Sequence, residues 1–228
     1  MSTIATTNIK EPSSATNNIT LTSGGDTTIS GDTTISGNAT ISGLTYPTAD
    51  GTANQVLTTN GSGTLSFADR VRMVLETAQA TISGTSIDFT GIPSWVKRIT
   101  VMFDGVSGNA ASDLLIQLGD SGGIETTGYK GCGSAVGGSS VATIIYTTGF
   151  GNPWGSTTGK IVQGSIFLTN LTGNTWTASG ILSRSDGTQS MLISGSKLLS
   201  DVLTQVRITH VNGTDTFDAG SINLLLEG

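Results

Sequence analysis

Eight acidic residues in the C-terminal part of the chain have the carboxyl groups that acid–base chemistry needs. Hydrolysis of a glycan requires two carboxylates that flank the scissile bond, one of them with a raised pKa. Most of the eight stand beside Gly or Ser, where acids usually close turns at strand ends through their own hydrogen bonds. Their spacing does not match an EF-hand calcium loop. We therefore expect no catalytic residue, no cofactor and no metal site. The eight residues are Asp104, Asp113, Asp120, Glu125, Asp186, Asp201, Asp215 and Asp218.

A second candidate for chemistry is the string GDSGG at residues 119–123, which matches the nucleophile segment of trypsin-like serine proteases. Such a serine needs an imidazole as its base, and in that family the histidine and aspartate precede the serine. The only histidine, His210, lies far downstream within an alternating, strand-like run. We interpret GDSGG as a turn after a strand that ends at Leu118, and His210 as a core or interface residue.

Aromatic residues are better candidates for ligand contact than the acids. Trp154 lies in the segment GFGNPWG, which is too rich in Gly and Pro for a central strand. An aromatic side chain in a loop can stack on the apolar face of a sugar. The alternative is packing, in which Trp154 closes one end of a β-sandwich or fills a seam between subunits. The predicted ligand-binding set is Trp154, Phe150, Tyr129, Tyr146 and Trp176.

The composition indicates a β protein. Charged residues make up 11% of the 228 residues, against about 25% in an average soluble domain. Hydroxyl and amide groups must therefore solvate the surface, and the abundant threonine favours strands because its branched Cβ suits a pleated sheet. The net charge of −6 comes without any run of like charge, which disfavours nucleic acid. No stretch is long and apolar enough to span a membrane, and the N-terminus has no secretion-signal pattern.

Residues 26–43 contain three copies of a six-residue unit, DTTISG, DTTISG and NATISG. Each copy has one large apolar side chain, namely Ile29, Ile35 or Ile41. One isoleucine per copy cannot form a core within one chain, whereas three chains wound together would bury three of them in each layer. We therefore predict a trimeric β stem. Two alternatives remain open, a disordered polar tail over residues 1–43 and a β-solenoid within one chain.

The next segment has its own pattern of turns and strands. Residues 55–57 and 65–67 alternate as strands, and the Asn60-Gly61 dipeptide between them predicts a hairpin. The string YPTADGTANQVLTTNGSGTLSFA resembles a recurring segment of bacteriophage tail-fibre and related appendage proteins, with Phe67 in place of the more usual Trp. The opening ATTNIKEPSSATNNITL is similar to the start of short appendage proteins of phages that infect cyanobacteria and other marine bacteria. The resemblance implies a homotrimeric virion protein.

Residues 70–228 contain several short alternating runs bounded by turn residues, which predict a β-sandwich or jelly roll. Two segments, 70–79 and 197–204, have spacings that are also compatible with a helix. Residues 83–107 and 114–129 resemble a domain found at the ends of phage and prophage fibres. The clearest strand runs are 99–103, 114–118, 166–168, 206–209 and 222–226.

The sequence therefore predicts an all-β protein with an intertwined trimeric stem and a sandwich or jelly-roll-like head. Its expected role is a non-enzymatic virion appendage, a tail fibre or spike, assembled in the host cytoplasm and binding a host surface glycan. A capsid decoration or capsid fibre protein is the first alternative, and a polysaccharide-cleaving tailspike is the second. The predicted parts are a virion-attachment segment that contacts other virion proteins (1–25), the stem (26–43), a hairpin connector (44–69) and the head (70–228).

Overall fold

The computed structural model describes residues 37–70, 72–137, 140–153, 161–184 and 189–228. These residues form strands, turns and loops without any helix, so the predicted all-β class is confirmed. The chain divides into two compact units, Met1–Arg70 and Val71–Gly228. The finer division into four parts stays a prediction, and Ile29 and Ile35 of the predicted stem lie outside the described residues.

Residues 37–70 of the first unit form two short antiparallel strand pairs. In the first pair, Ile41 lies opposite Leu44, and the turn between them consists of Ser42 and Gly43. Both turn residues have a positive φ, 51° and 79°, which explains the Ser-Gly ending of the last hexapeptide copy. The four strands are β1 (Thr40–Ile41), β2 (Leu44–Thr45), β3 (Gln55–Thr59) and β4 (Leu65–Asp69).

The predicted hairpin of the first unit is confirmed as β3 and β4, which pair from Gln55 opposite Asp69 to Thr59 opposite Leu65. The connection is longer than a two-residue Asn-Gly turn. The Asn60 side-chain oxygen accepts hydrogen bonds from the backbone N–H groups of Ser62 (2.8 Å) and Thr64 (3.1 Å). Asn60 therefore closes the turn through its side chain, as Asx residues commonly do.

In the described residues of the second unit there are fourteen strands, which form two antiparallel sheets. They are β5 (Met73–Leu75), β6 (Gln79–Ala80), β7 (Ser86–Thr90), β8 (Arg98–Gly108), β9 (Leu114–Asp120), β10 (Gly123–Ile124), β11 (Lys130–Gly137), β12 (Ser140–Tyr146), β13 (Phe150–Asn152), β14 (Val162–Thr172), β15 (Thr175–Arg184), β16 (Ser190–Leu198), β17 (Gln205–His210) and β18 (Phe217–Glu227).

The smaller sheet has five strands in the order β10-β9-β17-β7, with β13 also paired to β9. The larger sheet has nine strands in the order β12-β11-β16-β15-β14-β8-β18-β5, with β6 also paired to β18. Both sheets contribute inward-facing residues to one hydrophobic cluster. Ile116 and Ile208 of the smaller sheet and Val101 and Leu224 of the larger sheet are fully buried in it. The arrangement is sandwich-like, with one core between two sheets.

The five strand runs predicted in residues 99–226 all lie within strands β8, β9, β14, β17 and β18. The two ambiguous segments are not helical. Residues 73–75 form β5 because they pair with β18, where Leu75 lies opposite Leu225. Residues 197 and 198 end β16, and the following residues cross towards β17. Tertiary pairing therefore outweighed the local helical spacing in both places.

Candidate functional site

The aromatic residues predicted to bind a ligand are mostly core residues. Tyr129, Tyr146, Phe150 and Trp176 are exposed to 3%, 5%, 0% and 3%. Their ring faces are covered by the protein and do not form a surface that can stack on a sugar. This burial favours packing for the four residues, and their contact with a ligand stays a prediction. Trp154 lies outside the described residues, and its role stays a prediction.

The Tyr129 hydroxyl is the hydrogen-bond partner of a backbone N–H group of strand β9, in place of a neighbouring strand. Its hydroxyl accepts a hydrogen bond from the Leu118 backbone N–H (2.6 Å) and donates towards the Glu125 carbonyl oxygen (3.1 Å). Its ring packs edge to face against the Phe150 ring, with 5.1 Å between the ring centroids. Burial raises the pKa of the Tyr129 phenol, so the hydroxyl keeps its proton.

Tyr146 also has a structural hydrogen bond. Its hydroxyl donates to the Asp113 carboxylate at 2.8 Å. Burial is the main cause that raises the pKa of Tyr146, and the hydrogen bond to Asp113 raises it further. The bond ties the end of β12 to the loop before β9, which is a packing function.

The GDSGG string forms a tight turn between β9 and β10, so its interpretation as a turn is confirmed. Strand β9 continues to Asp120, two residues beyond the predicted end at Leu118. Asp120 accepts a hydrogen bond from the Gly122 backbone N–H at 2.8 Å. His210 belongs to β17 and is 2% exposed. Its ring packs against that of Phe217, with 4.7 Å between the ring centroids. Burial lowers the pKa of His210. The sequence predicted a core or interface residue, and His210 is buried within the single chain.

A polar cluster next to this turn was not predicted from the sequence. The Ser200 hydroxyl lies 2.6 Å from the Asp120 carboxylate and 2.8 Å from the Glu125 carboxylate. Glu125 also accepts the Ser200 backbone N–H at 2.7 Å and forms an ion pair with Lys197. The Lys197 side chain is only 4% exposed. The cluster fastens the loop at residue 200 onto the β9–β10 turn.

The electrostatics of this cluster favour two ionised carboxylates. The hydrogen bond from Ser200 is the main cause that lowers the pKa of Asp120. Burial by itself would raise the pKa of Glu125, but the bonds from Lys197 and Ser200 outweigh it and lower that pKa. A serine whose hydroxyl contacts two carboxylates donates its single proton to one of them at a time. The hydrogen bonds of Ser200 therefore connect the loop at residue 200 to the β9–β10 turn.

The outer face of the smaller sheet carries a depression of about 340 Å³. Period-two alternation turns Val206 and Ile208 into the core and leaves Arg207 and Thr209 on the outside. Gln117 lies opposite Arg207 on the adjacent strand. We call this depression the polar groove, and its lining residues are Thr85, Ser86, Leu115, Gln117, Thr126, Thr148, Arg207, Thr209, His210, Val211 and Gly213.

Two interactions hold the floor of the polar groove in place. Arg207 and Asp88 form a bidentate ion pair, with Nε–Oδ1 and Nη2–Oδ2 distances of 2.7 Å. Hydrogen bonding to Asp88 is the main cause that raises the pKa of Arg207. The Gln117 side-chain N–H donates to the Thr148 carbonyl oxygen at 2.9 Å. Gly149 lets this covering segment approach closely, because an added Cβ would come within 2.5 Å of the Leu115 side chain.

A second surface is the outer edge of the larger sheet, formed by β12. Within the described residues this strand pairs on one side only, with β11. Val141, Ile144 and Ile145 are exposed to 72%, 39% and 78%. The sequence between Lys130 and Lys160 contains no charged residue. We call β12 with these exposed side chains the apolar edge.

Other predicted features have simple placements. Ile41, the stem isoleucine within the described residues, is 55% exposed in the single chain. Among the described residues, no group of three His, Cys, Asp or Glu side chains is placed to hold a metal ion. Cys132 is a partly exposed free thiol on β11. The described part of the chain also contains no helix long and apolar enough to cross a membrane.

No protein-family model matches the sequence, and no curated protein or solved structure shows significant similarity to it.

Proposed function

We propose that this chain is a subunit of a homotrimeric bacteriophage appendage, a tail fibre or spike, that attaches the virion to its host. Residues 1–25 bind other virion structural proteins, and the hexapeptide stem over 26–43 winds three chains together. The second unit is a jelly-roll-like β-sandwich head that contacts a surface glycan. The protein acts by binding and carries no catalytic residues.

The observation that carries the proposal is the apolar edge. An edge strand presents unpaired N–H and C=O groups, and monomeric proteins usually protect such strands with charges, proline or a bulge. Strand β12 has none of these protections in its sequence SVATIIY. Its exposed valine and isoleucine side chains would gain free energy by leaving water. These features are typical of a subunit whose edge is covered by another copy.

The stem supports the same assembly from an independent part of the chain. The isoleucines of the three hexapeptide copies keep one phase, and Ile41 remains half-exposed in the single chain. A threefold arrangement would bury such side chains around a common axis. The assignment to a phage particle rests on the resemblance of residues 46–68 to appendage proteins.

The mass of the protein in solution tests the assembly. Size-exclusion chromatography with light scattering on the full-length chain at micromolar concentration should give three times the 23.2 kDa chain mass. Placing a charge on the apolar edge with Ile145→Lys should weaken assembly. Leu171→Lys is the matched control, because Leu171 is 68% exposed near the end of β14. A monomeric parent protein would contradict the proposal.

Attachment is tested with cells and virions. The purified trimer, added to host cells before infection, should reduce phage adsorption, and antibodies against the chain should label an appendage on the particle by electron microscopy. Labelling of the capsid surface instead would favour a capsid fibre. A particle that does not bind the antibodies would refute the virion assignment.

A further inference from the structure

The polar groove has features of a ligand site that the proposed attachment function does not by itself locate. Its volume of about 340 Å³ falls within the usual range of about 300–1,000 Å³ for small-molecule sites. Its floor consists of side chains on three paired strands, where Arg207 lies between Asp88 and Gln117. Side chains on a sheet are held more precisely than side chains on loops.

Gln117 is the most informative residue of the groove. It is a polar residue in a strand buried along its whole length, and it is 6% exposed. Its amide N–H is held by Thr148, which orients the amide plane. Its carbonyl oxygen accepts no hydrogen bond from any residue that the structure describes. This oxygen is not among the fully buried side-chain atoms that lack a partner, so solvent reaches it and it is an acceptor available to a ligand or to water.

Arg207 supplies the matching donors without a net charge. Asp88 occupies its Nε and Nη2 groups, and Nη1 makes no hydrogen bond within the described part of the chain. The carboxylate fixes the plane of the guanidinium and neutralises it. A neutralised, oriented guanidinium donates hydrogen bonds to a hydroxyl but attracts a phosphate or sulfate only weakly.

Free hydroxyl groups surround this floor. The side chains of Thr85, Ser86, Thr126 and Thr148 line the groove, and their hydroxyls form no hydrogen bond with the described residues. Each hydroxyl can both donate and accept. Val211, which is 47% exposed, adds a small apolar surface. The lining therefore matches a ligand with many hydroxyl groups and an apolar ring face.

A second depression of about 220 Å³ lies beside the first and is lined by Asp88, Glu76, Gln79 and Thr90 among others. Because Arg207 lines one depression and Asp88 lines the other, the ion pair stands between them. Two adjoining polar depressions fit linked units better than a single small molecule.

We propose that the polar groove binds a neutral oligosaccharide, with one sugar unit over Gln117 and Arg207 and a neighbouring unit beyond the Asp88–Arg207 pair. The identification of this oligosaccharide as part of a host surface glycan rests on the proposed attachment function. The site itself rests on the groove.

The test uses the full-length protein on an array of neutral and sulfated oligosaccharides, followed by calorimetric titration of the neutral oligosaccharide that binds best. The double variant Ser86→Ala/Thr126→Val removes two free hydroxyls and should weaken binding about tenfold. The control is Ser179→Ala/Thr172→Val, which removes hydroxyls from β15 and β14 of the other sheet. The control should bind like the parent.

A charge variant tests the preference for neutral sugars. Asp88→Asn leaves the guanidinium uncompensated and should gain binding to sulfated oligosaccharides. Equal affinities of the site and control variants, the absence of any neutral ligand, or an Asp88→Asn variant indifferent to sulfate would each overturn the proposal.

Adsorption assays separate this proposal from the proposed function. If the parent blocks adsorption and the site variant blocks it equally, the attachment function holds and the groove assignment fails. If the groove binds neutral oligosaccharide but the parent does not block adsorption, the groove assignment holds and the attachment function fails.

Discussion

Replacing either partner of the Lys197–Glu125 ion pair should destabilise the second unit by unequal amounts. The Lys197 side chain is 4% exposed and that of Glu125 is 21% exposed. Glu125→Gln leaves a charged ammonium buried without its counter-charge. Breaking a buried pair in this way costs about 3–5 kcal/mol. We expect about 3 kcal/mol, the lower end of that range, because Glu125 is in part solvated.

The reverse replacement should be much milder. Lys197→Met keeps most of the length of the side chain. Glu125 retains the backbone N–H bond from Ser200, its shared contact with the Ser200 hydroxyl and its contact with water. The loss should be about 1 kcal/mol or less, as for an exposed pair. For a unit of this size, each kcal/mol shifts the melting temperature by about 2–4 °C. Glu125→Gln should therefore lower the melting temperature by about 6–12 °C and Lys197→Met by at most about 4 °C.

Thermal unfolding followed by circular dichroism or calorimetry measures these shifts. The matched control is Glu227→Gln, which removes the partner of Arg98 in a pair separated by 3.5 Å with 47% exposure of the arginine. This control should change stability by less than about 1 kcal/mol. A loss for Lys197→Met as large as that for Glu125→Gln, or a Glu125→Gln variant as stable as the control, would refute the argument from burial.

Three further expectations concern stability and assembly. Tyr129→Phe removes the acceptor of the Leu118 N–H and should cost about 1–3 kcal/mol in thermal unfolding; an unchanged melting temperature would exclude this role. Folding lowers the pKa values of Asp120 and Glu125 from 3.8 and 4.5. Their ionised forms therefore stabilise the folded protein above those pH values, and this stabilisation is lost as the pH falls through the lower pKa values of the folded state. Acidification from pH 7 to about pH 3 should therefore lower the melting temperature more in the parent than in Asp120→Asn. Ile35→Asp should abolish the trimer in light scattering, because like charges would meet near one axis; a stable trimer would place the isoleucines elsewhere.

Much of the strand pattern followed from the sequence because alternation is a local property. The runs that became β8, β9, β14, β17 and β18 alternate or are continuously apolar over their own length, and the Gly, Asn, Asp and Ser residues between them mark the turns. The hairpin of β3 and β4 was also predictable, since Asn60-Gly61 lies between its strands. The length of its turn was not, because Asn60 bonds to residues two and four positions away.

The candidate site was not predictable, because its parts are distant in sequence. Asp88, Gln117 and Arg207 come together only through the register of β7, β9 and β17. Two signals were present in the sequence. Gln117 interrupts an apolar run, and Arg207 and Thr209 share one face of an alternating strand. Neither signal indicates which residues lie opposite.

By itself the sequence determined the all-β class and the turn at GDSGG, since each depends on neighbouring residues. The tertiary structure decided which polar and aromatic residues face solvent. Tyr129, Tyr146, Phe150 and Trp176 look like ligand-binding residues in a glycine-rich sequence, yet the two sheets bury them. A side chain is buried when another part of the chain covers it. Strand order and register decide which parts cover it, because they bring together residues that are far apart in sequence.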